Sequence, residues 1–209
     1  MTAKIKLNAA SGGGSVSIQA PSSSSNNRVF TIPDEADATL LTSNTSTGKI
    51  LQVISDTKTD TSSFNVAAGT FYNTSNLGLS VSITPTSASN KILITGQACI
   101  CREGGQSIMH IAIYKDGSGL SGAMGDADGN RKTVTSGSEV LGTTQLSTHP
   151  FSFLDTAGNT NSRVYSIGIN HDSGSEIVCY MNRGHEDQNN QYRYRGLSVI
   201  TVMEVAAWV

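Results

Sequence analysis

The side chains that could do chemistry in this 209-residue chain gather in three short stretches. In "GDADGN", Asp126, Asp128 and Asn130 stand at alternate positions, as at the opening of a calcium-binding loop. Such a loop next needs glycine for its sharp turn and ends on a bidentate glutamate, whereas Arg131 and Gly137 fill those places here. The stretch reads as a surface turn, with a weak calcium site shared between protomers as the alternative. In "NNQYRYRG", an extended backbone would send Tyr192 and Tyr194 to one side and Arg193 and Arg195 to the other. Aromatic faces can stack on sugars, and guanidinium groups can clamp the acidic groups of a cell-surface glycan. The competing reading is a strand whose tyrosines pack in the core or in a seam between subunits, leaving the arginines solvated. In "GHEDQ", Glu186 adjoins Asp187. Paired carboxylates can cleave glycosidic bonds, but neighbouring acids in a polar loop read as solvated side chains.

Nothing else in the chain supports catalysis. The four histidines, His110, His149, His171 and His185, show neither an HExxH motif nor paired metal-ligand spacing. No serine has glycine both two residues before and two after it, so the nucleophile elbow of hydrolases is missing. The reading is a protein that is not an enzyme and carries no cofactor.

Composition narrows the partners. Charged residues are 14% of the chain, below the roughly 25% of an average soluble protein, so Ser, Thr, Asn and Gly must supply its surface polarity. The formal net charge is -2 and no Lys/Arg cluster forms a phosphate-binding stripe, which argues against nucleic acid as a partner. No apolar run is long enough to span a membrane, and "MTAKIKLNAA" lacks the apolar core of a secretion signal. The chain reads as made and kept in a cytosol, or released by lysis. Cys99 and Cys101 lie two apart and would share one strand face, a poor geometry for a disulfide. With Cys179 they read as buried free thiols.

The elements that must position these groups are strands. Apolar residues alternate with period two almost throughout, as in "LSVSIT". Strands are predicted near residues 50–57, 77–84, 91–102, 107–115, 148–155, 163–171, 176–182 and 197–205, with "KILITGQACIC" as a central one. Hairpin turns are expected at "DGSG" and at Ser173-Gly174 within "HDSGS". Residues 34–41 could form one helical turn capped by Asp34. The fold class is all-β: an antiparallel β-sandwich, jelly-roll-like, occupying residues 46–209.

Residues 1–45 form an extended N-terminal arm of short strands separated by "SGGGS" and "PSSSSNN". The apolar faces of those strands, Ile5 with Leu7, Val16 with Ile18, and Phe30 with Ile32, are too small to build a core. They call for cover from another copy of the chain or from a partner surface.

The stretch "KIKLNAASGGGSVSIQAPSSSSNNRVFTIPDEADATLLTS" resembles the N-terminal segment of structural proteins of marine tailed bacteriophages, especially tail-fibre-like proteins of cyanophages. "GKILQVISDTKTDTSSF", "LSVSITPTSASNKILITGQ" and the closing "LSVITVMEV" are similar to a β domain that recurs in those proteins, while residues 101–195 carry no such likeness. The resemblance implies a virion component assembled in the host bacterial cytoplasm, homotrimeric and bound to other virion proteins of the capsid or tail. The chain is shorter than a long fibre and has no coiled-coil or collagen-like shaft. The expectation is a fibre- or spike-like protein, docked by its arm and displaying its head for adhesion to host glycan. A capsid or tail decoration protein without receptor binding is the alternative, followed by a lectin or depolymerase.

Overall fold

The computed structural model describes residues 4–8, 10–19, 22–25, 29, 49–104, 107–140 and 145–207. They fall into two units, residues 1–42 and residues 43–209. Phe30, Ile32 and the helical turn expected at 34–41 lie outside the described residues.

In the first unit, β1 (Lys4–Asn8) pairs antiparallel with β2 (Ser15–Gln19). The register sets Ile5 opposite Ile18 and Leu7 opposite Val16, so the four apolar side chains share one face as direct cross-strand pairs. The two short strands thus pair with each other. A single layer buries nothing, however, and those four side chains are 60–70% exposed.

The second unit begins with β3 (Ile50–Lys58), β4 (Ser62–Val66), β5 (Tyr72–Asn73), β6 (Val81–Ile83), β7 (Lys91–Arg102) and β8 (Ser107–Lys115). It continues with β9 (Ser118–Gly119), β10 (Ser136–Val140), β11 (Ser147–Thr156), β12 (Arg163–His171), β13 (Ile177–Met181) and β14 (Ser198–Val205). Every pairing is antiparallel. One sheet runs β3-β14-β7-β13-β4 with β11 also on β7; the other runs β10-β8-β12-β5, with β6 on β12 and β9 on β8. Alternation turns Ile92 and Ile94 of β7, Phe151 of β11 and Ile200 and Val202 of β14 inward. They share one buried core with Met109, Ile111 and Ile113 of β8 and Tyr165, Ile167 and Ile169 of β12, which belong to the opposite sheet. This is the antiparallel β-sandwich that the period-two patterning predicts. A polar clamp joins the sheets at one end, where Asp155 of β11 accepts from Lys115 Nζ at 2.7 Å and from the Tyr165 hydroxyl at 2.6 Å.

The central place of β7 is as expected. Its residues 91–100 pair with β11 along one edge, and both β14 and β13 line the other. The turn after β8 also forms, with Asp116 and Gly117 at φ of 51° and 81°, the left-handed pair of a two-residue hairpin. The second expected hairpin does not. β12 lies in one sheet and β13 in the other, so "HDSGS" carries the chain across the sandwich. The sequence also hid β4, β5, β9 and β10, which are short or, like "SGSEV", rich in small residues. All three cysteines are buried and unbonded. Burial pushes the Cys179 thiol up to about 12.

Candidate functional site

The register along β7 exposes a break in what is otherwise one strand. Met181 of β13 stands opposite Ile100, and Val199 of β14 opposite Gln97. Two positions on β7 remain, and two residues take them. Asn182 donates its backbone N–H to the Cys99 carbonyl at 2.9 Å, and Ser198 Oγ accepts from the Cys99 backbone N–H at 3.0 Å. Residues 183–197 therefore leave and rejoin a single strand line as a closed excursion, an Ω-type loop.

Asn182 makes the exit. It is fully buried at φ 63°, a left-handed conformation that Asn tolerates better than other non-glycine residues. Its Nδ2 donates to the carbonyls of Lys58 and Asp60 at 2.8 and 2.9 Å, and its Oδ1 accepts from Ser198 Oγ at 2.7 Å. At the return, Gly196 donates to the Asn182 carbonyl at 3.1 Å. A Cβ on Gly196 would lie 2.8 Å from Cys99 Sγ, so no larger residue fits there without displacement.

The loop holds its own shape. The Arg183 guanidinium lies 4.2 Å from the Tyr180 ring centroid, and His185 stacks on the same ring at 5.3 Å. Arg193 Nη2 meets Glu186 at 2.7 Å. Arg195 grips Asp187 with two nitrogens, at 2.6 and 3.2 Å, and this pairing holds the Asp187 carboxyl below its ordinary range. Asn190 Oδ1 accepts from the Tyr192 N–H at 3.0 Å, an Asx turn. The Tyr194 hydroxyl donates to the Leu146 carbonyl at 2.9 Å.

"NNQYRYRG" is accordingly neither strand nor core. Tyr192 and Tyr194 are 75% and 58% exposed, while both arginines are spent on the two acids that the sequence reading left solvated. A cleft of about 400 Å³ opens among Asp187, Gln188, Asn189, Arg193, Tyr194 and Arg195. A second depression, of about 580 Å³, lies on the β7–β11 side of Tyr194 and Arg195, lined by Gln97, Thr148 and Leu197.

The calcium-loop candidate of the second unit is not among the residues lining this cleft. Asp126, Asp128 and Asn130 lie on an exposed turn where Arg131 Nη1 bonds the Asp128 carboxylate. Among the described residues, no group of three or more His, Cys, Asp or Glu could hold a metal ion. Ile5, Leu7, Val16 and Ile18 line the hairpin face of the first unit.

A second surface emerges from strand register alone. On the outer face of the sheet that holds β7, Val53, Met203, Leu93 and Leu154 form one row across β3, β14, β7 and β11. The next rows are Ser55, Thr201, Thr95, Ser152 and Thr57, Val199, Gln97, Pro150. None of these twelve positions carries a charge. Val53 and Leu154 are 55% and 52% exposed. The alternation in each strand was legible in the sequence, but the alignment of the rows was not.

No protein-family model matches the chain, and no curated protein matches it. Among solved structures it is similar to one of the infectious bursal disease virus Gx strain, with a TM-score of 0.32 and 17% identity over 74% of this chain. The match spans 40% of that chain's length. At that score the likeness bears on neither fold nor function.

Proposed function

We propose that this chain is a non-enzymatic structural protein of a bacteriophage particle, fibre- or spike-like, docked by residues 1–45 and displaying its β-sandwich for adhesion to the host surface. The observation that carries the reading is the hairpin face of Ile5, Leu7, Val16 and Ile18, apolar, in register and 60–70% exposed. A lone two-stranded hairpin is marginal in water, and burying each of these side chains would contribute on the order of 1–2 kcal/mol. The hairpin gains most of its stability when another protein surface covers it. Its resemblance to the N-terminal segments of marine tailed-phage structural proteins supports another virion protein as that surface.

The uncharged rows from Val53 to Leu154 and from Ser55 to Ser152 supply a second contact, between copies of the head, and leave the Gln97 row open. Rows without charge meet their own copy with no like-charge repulsion, and their Ser, Thr and Val side chains lie flat enough to pack closely. We assign this face to the seam of a homotrimer.

Removal of residues 1–45 tests docking. The shortened chain should fold with an unchanged β-type circular dichroism spectrum yet fail to enter particles, and Leu7→Asp with Ile18→Asp in the full chain should fail likewise. Particles that take up either form at normal occupancy would overturn the assignment.

A further inference from the structure

We propose that the loop of residues 183–197 is a carbohydrate-binding element whose ligand is a neutral, hexose-based polysaccharide. The proposal rests on the reading of the head as a displayed adhesion domain and names what that domain grips.

The strand pairing along β7 has no need of the loop. Asn182 and Ser198 complete that line between them, and the excursion meets the sheet only through side chains, such as Arg183 and His185 over the Tyr180 ring. Ordering such a segment costs on the order of 1 kcal/mol per residue. The loop nonetheless carries two ion pairs and an Asx turn of its own, and rests Arg183 and His185 on Tyr180 of β13. A surface loop held rigid by its own side chains is prepared for recognition.

Its chemistry selects the ligand class. Arg193 and Arg195 are already bound by Glu186 and Asp187, so the positive charge that would attract a carboxylated or sulfated sugar is cancelled in place. An acidic ligand would also meet the Asp187 carboxylate, which lines the same cleft. Beside its paired charges the cleft offers uncharged groups. Tyr194 lines it, 58% exposed and fixed by its hydroxyl on the Leu146 carbonyl, while Tyr192, two residues away and outside the cleft lining, adds a second ring, 75% exposed. Such rings provide flat apolar area at low entropic cost, matched to the C–H face of a pyranose. The side-chain amides of Gln188 and Asn189 supply donors and acceptors for ring hydroxyls. The cleft volume of about 400 Å³ falls within the ordinary range of ligand sites, and the depression on the other side of Tyr194 gives a chain of sugars somewhere to continue. The ligand is therefore a polymer rather than a single sugar. Glu186 and Asp187 are both tied to arginines, so the loop binds the polymer without cleaving it.

Affinity electrophoresis of the full chain through native gels containing dextran, mannan, galactan or alginate tests the proposal. At least one of the three neutral polymers should retard the protein, and alginate should not. Tyr192→Ala and Tyr194→Ala should each abolish the retardation, whereas Tyr192→Phe should retain it. Circular dichroism of each variant should match the parent, since both rings lie outside the core. Retardation by alginate alone, by none of the neutral polymers, or undiminished in both alanine variants would overturn the proposal. All variants keep the arm, so particle incorporation is read separately and failure of binding leaves the docking assignment standing.

Discussion

Asn90 Nδ2 donates to Glu204 Oε1 at 2.6 Å, inside the end of the sandwich where both side chains are buried. The same carboxylate accepts from the Thr86 N–H at 2.7 Å, the Thr86 hydroxyl at 2.9 Å and Gln52 Nε2 at 2.6 Å. Burial works to raise the Glu204 pKa, but the donors from Asn90, Gln52 and Thr86 outweigh it and the net shift is downward. Glu204 thereby fastens the last strand to the turn that leads into β7.

Removing that carboxylate leaves several buried donors without an acceptor. Glu204→Ala should cost about 3 kcal/mol or more of stability, since each orphaned buried group costs roughly 1–3 kcal/mol. Glu204→Gln should also destabilise, because its new N–H₂ faces donors. Urea denaturation of both variants checks this, and the expected order is wild type above Gln above Ala.

Acid should weaken the head through His149. Its ring is buried near Ser138 and half-buried His110, and desolvation lowers its pKa from 6.5 to about 4. Between those values the unfolded chain takes up a proton that the folded chain refuses, so stability falls as pH drops below 6.5. The loss should approach about 3 kcal/mol by pH 4. His149→Gln should flatten the slope of unfolding free energy against pH across that window, whatever it does to stability at pH 7.

Joining Asn182 directly to Ser198, with residues 183–197 removed, should leave the sandwich folded. The reason is that Asn182 and Ser198 already occupy neighbouring places along β7. The shortened chain should keep a cooperative thermal transition and a β-type spectrum. Loss of cooperative unfolding would mean that the loop braces the sheet after all.

Charge placed in the apolar row should dissolve the proposed trimer. Leu93→Lys with Met203→Glu puts opposite charges side by side on neighbouring strands, where they satisfy each other within one protomer but face sister copies as polar groups. Sedimentation equilibrium should move from three times the chain mass to the 21.9 kDa of one chain. A wild-type protein that already sediments as a monomer would refute the seam.

Period-two alternation was enough to place β3, β7, β8, β11, β12 and β14 within a residue or two, because one face of each strand must be apolar and the signal is local. The "DGSG" turn was legible for the same reason: its backbone conformation depends on the two residues that adopt it. Which strands become neighbours depends on contacts far apart in sequence. "HDSGS" has the composition of a hairpin turn, yet His171 and Ile177 end in different sheets, because β12 and β13 gain more from the separate partners β8 and β7. The loop shows the same limit. Tyr192, Arg193, Tyr194 and Arg195 could be singled out by type, but their alternation suggested a strand. Only the joint alignment of Met181 and Val199 on β7 marks residues 183–197 as an insertion. Only the fold brings Glu186 and Asp187 back onto the two arginines, and that pairing within one loop sets the charge of the cleft.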